Sequence, residues 1–145
     1  MSNANRVGAF TQDSFGNFRA TVATQVPLTA TGNAIVALPL YSGGTAGSYI
    51  LRRITVANPA NTAGGTVPNC ATCNVSITTS NDGNASNAVV AAVALAGVTG
   101  ANTYKDLTIA STTALTAPVL FFNIGANAIA NASITVSIYV DTVAL

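Results

Sequence analysis

Histidine, glutamate and tryptophan are absent from this chain, and lysine occurs once, as Lys105. Proton-transfer and nucleophilic mechanisms need such groups placed together with shifted pKa values. The four acids, Asp13, Asp82, Asp106 and Asp141, are scattered along the chain. Asp82, in Asn81-Asp82-Gly83-Asn84, is already explained by a turn. Lys105 stands beside Asp106, which predicts a solvated, salt-bridging lysine. The sequence therefore predicts a protein that is not an enzyme and that uses no cofactor and no metal.

Charge of either sign is the second shortage. Only 6% of the residues are charged, where an ordinary soluble domain carries roughly a quarter. The formal net charge of +1 argues against nucleic acid as a partner, because phosphate binding requires clustered Lys and Arg. Long apolar runs are missing too. The longest, Ala88 to Val98, falls far short of the roughly 20 residues of a membrane-spanning helix, so no membrane partner is expected. The first six residues lack the basic start and apolar run of a secretory leader. The two cysteines form Cys70-Ala-Thr-Cys73. A zinc ribbon would need a second ligand pair, and a thioredoxin-like site would open a helix after a strand. In a loop rich in Gly, Pro and Asn, the pair reads either as a small disulfide staple or as two incidental thiols.

What is present is a β pattern in a chain of 145 residues, the size of one domain. Residues 1–17 show no sustained periodicity and predict an N-terminal arm, with Phe10 and Phe15 as anchors and Arg6 and Arg19 flanking it. From Phe18 onward, runs rich in Val, Ile, Thr and Tyr alternate with clusters of Gly, Asn, Pro and Ser. In the clearest run, Ile134, Val136, Ile138 and Val140 share one face, while Ser133, Thr135, Ser137 and Tyr139 share the other. Similar runs predict strands at Arg19–Val26, Ala34–Leu40, Tyr49–Ala57, Cys73–Ser80, Asp106–Ala110, Ala88–Ala96 and Thr116–Ile124. Pro118 lies inside the last of these and predicts an edge or a bulge there. The turn at Asn81 to Asn84 makes Cys73–Ser80 and Ala88–Ala96 hairpin partners. About eight strands without a long amphipathic helix predict an all-β fold. The expected form is an antiparallel, jelly-roll-like sandwich over residues 18–145.

Arg52 and Arg53 interrupt a strand otherwise suited to burial. Adjacent strand residues point to opposite faces. One arginine is therefore expected near the inner rim, or both line a contact with another chain, or both are ordinary snorkelling arginines. The segment Asn58–Asn69, bordered by Pro59 and Pro68, predicts a projecting loop, with Asn61 and Thr62 as candidate contacts.

The runs Tyr49-Ile-Leu-Arg-Arg-Ile-Thr-Val-Ala-Asn-Pro59, Tyr104-Lys-Asp-Leu-Thr-Ile-Ala110, Leu115-Thr-Ala-Pro-Val-Leu-Phe121 and Ile134-Thr-Val-Ser-Ile-Tyr-Val140 resemble small β-sandwich proteins of tailed bacteriophages. These are head decoration, or cement, proteins, and the resemblance spans residues 49–145. It implies a virion protein on the outer surface of the capsid, assembled as a homotrimer. Its partner would be the major capsid protein, and its role to clamp capsomers together. No individual family residue is carried over. The alternatives are a receptor-binding or adhesin-type fibre head and a small jelly-roll shell subunit.

Overall fold

The computed structural model describes residues 18–28, 34–39, 47–125, 129 and 133–145. The expected arm, with Arg6, Phe10 and Phe15, lies outside the described residues. Eight strands are found among the described residues: β1 (Phe18–Pro27), β2 (Ala34–Pro39), β3 (Tyr49–Asn61), β4 (Asn74–Thr78), β5 (Ala88–Ala94), β6 (Tyr104–Leu107), β7 (Val119–Ile124) and β8 (Ile134–Ala144). They form two antiparallel four-stranded sheets, ordered β1-β8-β3-β6 and β2-β7-β4-β5. Only β4 and β5 are sequential neighbours within one sheet, which bears out the hairpin. Every other connection crosses between sheets. That alternation gives the strand order of a jelly roll, the all-β sandwich the sequence predicts.

The core is made by the period-two positions. On β8, Ile134, Val136, Ile138 and Val140 are all at most 1% exposed. They meet Leu120, Phe122 and Ile124 of β7 and Val75 and Ile77 of β4 in one cluster. The Ala-rich stretch at β5 is a strand, with Val90 and Val93 opposite Ile77 and Val75.

Three expected boundaries need correction. β7 begins at Val119, after Pro118, because a central strand between β2 and β4 has no place for a residue without an N–H. β6 ends at Leu107: beyond it the chain leaves the sheet, and Ala110 N–H donates to Val89 O on the other sheet. β3 runs on to Asn61 through Pro59, so the first part of the expected loop is strand. Pairing with β8 jumps from Ala57↔Ser137 to Ala60↔Thr135. The extra residue is accommodated where Asn58 takes φ 54°, a conformation asparagine tolerates better than most residues.

A second bulge settles the arginine pair. Leu51 pairs with Thr142 and Arg53 with Asp141, so two steps on β3 oppose one on β8. A one-residue insertion flips the side-chain alternation. Tyr49 and Leu51 point inward before it, Ile54 and Val56 after it, and both Arg52 and Arg53 are exposed. The expectation of an arginine at the inner rim is thus corrected.

Asn123 carries the one unmet polar demand among the described buried side chains. It is 5% exposed, and its Nδ2 donates to Thr78 Oγ1 at 3.0 Å and to Phe121 O at 3.2 Å. Its Oδ1 has no partner. An unsatisfied buried acceptor costs about 1–3 kcal/mol, comparable to what two neutral hydrogen bonds return. Asn123→Val should therefore leave stability unchanged or raise it by up to about 1 kcal/mol in urea denaturation. A loss above about 2 kcal/mol would contradict this.

Candidate interaction surfaces

The bulges and strand order divide the molecule into two unlike faces. Arg19, Arg52, Arg53, Lys105, Asp106 and Asp141, six of the nine charged residues, stand on strands of the β1-β8-β3-β6 sheet. The four strands β2, β7, β4 and β5 carry no charged residue. Outward positions of that second sheet that reach the surface are Val119 and Phe121 on β7 and Ser76 on β4. On β5, Ala91 and Ala92 are exposed where a bulge sets them opposite Ser76.

The outer face of the charged sheet holds an open trough over β8, β3 and β6. Its floor is Thr55 and Ala57, and Tyr104, Asp106, Tyr139 and Asp141 form its sides. Of the four large apolar or aromatic side chains exposed among the described residues, three belong to this face: Val22 (50%), Tyr104 (62%) and Tyr139 (38%). Register explains the clustering. Val22, Tyr139, Thr55 and Asp106 form one row across four strands, and Tyr104 lies beside Ala57 one row away.

The polar groups of the trough are tied to one another. Arg53 Nε donates to Asp141 Oδ2 at 3.1 Å, an ion pair whose acid is far less exposed than its base. Thr55 Oγ1 donates to Asp106 Oδ1. Asn58 Nδ2 donates to the Tyr139 hydroxyl at 3.2 Å. The turn beside Tyr104 is fixed as well: Asn58 N–H donates to Thr103 O at 3.0 Å, and Thr103 Oγ1 accepts from Thr99 N–H and Gly100 N–H. Asn102 in this turn has φ 61°. Gly97 lets the turn approach, since a Cβ there would run into the Tyr104 carbonyl. Lys105 takes its alternation from Val56, its register partner, and faces the inner side of an edge strand. Such a charge discourages pairing of further strands.

The remaining sequence candidates are placed as follows. Arg53 enters the trough, while Arg52 is the bulged neighbour beside it. Arg19 stands on β1 opposite Thr142. Asn61 and Thr62 make bonds inside the subunit: Asn61 Nδ2 donates to Thr66 O, and Thr62 donates to Ser133 O through both N–H and Oγ1. Tyr104, Asp106, Tyr139 and Asp141 were not singled out as contacts from the sequence. The usable signal is Tyr139, a large ring on the face that Ser133, Thr135 and Ser137 share in the clearest alternating run.

Cys70 and Cys73 are free, fully buried thiols. Cys73 N–H donates to Cys70 O at 3.0 Å, closing a turn, and the turn is bonded to residues 95–98. Burial, then the neighbouring Cys70, pushes the Cys73 thiol from 9.0 up to about 11, and burial raises Cys70 too. Because the folded value is raised, this contribution is complete below about pH 9 and is lost as pH rises towards 11. The loss amounts to about 2–3 kcal/mol across that window. Urea denaturation at pH 8 and pH 11 should show a smaller decline for Cys73→Ala than for the wild type. Equal declines would contradict the buried neutral thiol.

No family model matches the chain, and no curated protein matches it. Among solved structures, it is similar to one described as PRD1 vertex protein P5, at 14% identity and a TM-score of 0.38, over 89% of this chain and 96% of that chain. Superposition this loose decides nothing about function.

Proposed function

We propose that the chain is a structural protein of a virus particle, a decoration protein on the outer surface of a tailed-phage head. In this reading it assembles as a homotrimer, contacts the major capsid protein and holds neighbouring capsomers together without catalysis. The observation that supports it is the segregation of charge between the two sheets. An ion taken out of water against another protein incurs several kcal/mol of desolvation. A sheet free of ions is the face that neighbouring chains can cover at least cost. In a cyclic trimer only residues lining the threefold axis meet their own copies, and an uncharged face brings no like charges together there. A jelly roll by itself selects no function.

One observation favours the second reading, a receptor-binding or adhesin-type module: the tyrosine-rich trough is the kind of aromatic and acidic surface such a module requires.

The test is to mix the full chain with expanded heads prepared without it. Saturable binding at a ratio matching the lattice is expected, and failure to bind would overturn the proposal.

A further inference from the structure

We infer that the trough between Tyr104 and Tyr139 is a binding site for a neutral oligosaccharide. The inference goes beyond a structural role in the particle and assigns a ligand to the face that role leaves in solvent.

Three features select this class of ligand. First, the aromatic rings are exposed and separate. Tyr104 on β6 and Tyr139 on β8 lie two strands apart and two residues offset along the strands, which strand geometry converts to roughly 12 Å between their backbones. The small residues Thr55 and Ala57 lie between them. The C–H faces of a pyranose are attracted to the electron-rich face of such a ring. A spacing of this size suits a short chain of sugars better than a single ring.

Second, the polar groups offer both kinds of hydrogen-bond partner. The carboxylates of Asp106 and Asp141 accept, while the Arg53 guanidinium and the amides of Asn58 and Asn102 donate. A sugar hydroxyl does both at once. Asp106 Oδ2, Asp141 Oδ1 and the outer nitrogens of Arg53 are not used by the bonds described above. The internal bonds of Thr55, Arg53 and Asn58 hold these groups in place before a ligand arrives.

Third, the charges exclude the competitors. Two carboxylates face one guanidinium, which is already paired with Asp141. A phosphate, sulfate or sialic acid seated in the trough would meet one more carboxylate than guanidinium in the lining itself. A dry protein hot spot is disfavoured for a different reason: the lining is mostly polar, whereas the centre of a protein interface is depleted in Asp.

The test is a microarray of neutral, sialylated and sulfated oligosaccharides probed with the full chain in the absence of any head. Signal on at least one neutral glycan is expected, falling tenfold or more in Tyr104→Ala and in Tyr139→Ala. Ala92→Glu, on the opposite sheet, should leave the signal unchanged. Thermal denaturation of the tyrosine variants keeps loss of fold apart from loss of binding, and Tyr104 is exposed enough that its removal should leave the fold intact. The inference is overturned by signal confined to anionic glycans, by signal that survives both tyrosine substitutions, or by none. It is also overturned if Tyr104→Ala abolishes binding to heads while no glycan binds, because the trough is then the shell contact. Head binding by a chain that ignores every glycan would sink this inference alone and leave the decoration role standing.

Discussion

Tyr49→Ala should destabilise the fold by about 3–5 kcal/mol, the range for truncating a buried ring. Out of a total of about 5–15 kcal/mol, that loss can unfold the chain at modest temperature. Tyr49 is 0% exposed at the start of β3, where its backbone pairs with Ala144 of β8 on one side. On the other side it exchanges both backbone hydrogen bonds with Leu115, at 2.9 and 2.8 Å. Its hydroxyl donates to Ala117 O at 2.6 Å. One side chain thus fills the core and anchors the segment that carries the chain across to β7. Tyr49→Phe separates the two roles. It keeps the ring and loses one hydrogen bond, at a cost of about 0.5–1.5 kcal/mol. Urea denaturation of both variants measures the difference. Equal losses would mean that the bond to Ala117, and not the buried ring, does most of the anchoring.

The largest effect on function is expected from Ala92→Glu. Ala92 is exposed at the bulge of β5 on the uncharged sheet. In the isolated chain the new carboxylate stays in water, and stability should change by less than about 0.5 kcal/mol. Against a shell or a second copy, the same carboxylate would be buried without a partner. The penalty of about 3–5 kcal/mol for an uncompensated buried charge corresponds to at least a hundredfold loss of binding to heads. Thr24→Glu, at an exposed position of β1 on the charged sheet, is the control and should bind within twofold of the wild type. A reversed result would exchange the roles assigned to the two sheets.

Much of the fold was legible because its signals are local. The alternation from Ser133 to Val140 specifies an inward face by itself, and Asn81 to Gly83 mark the turn between β4 and β5. What was not legible depends on partners distant in sequence. Nothing near Arg52 announces that Leu51 and Arg53 will face Thr142 and Asp141 in consecutive register. Without that bulge, strict alternation turns one arginine inward. Pro59 read as the edge of a loop because the resumption of pairing at Thr135 is set by β8, far along the chain. The trough was invisible for the same reason: Tyr104 and Tyr139 become neighbours only through the order β8-β3-β6. The charge census shows that ions are few, but only the sheet order shows that six of the nine stand on the strands of one sheet.

A reconstruction of decorated heads by electron cryomicroscopy, at a resolution that distinguishes the two sheets, addresses that sidedness directly. The β2-β7-β4-β5 sheet should be covered by neighbouring chains, with the Tyr104 and Tyr139 trough open to solvent. Density that buries the trough and leaves Ser76, Ala92 and Phe121 in solvent would contradict the division of labour between the sheets, and heads without added density would contradict the decoration role itself.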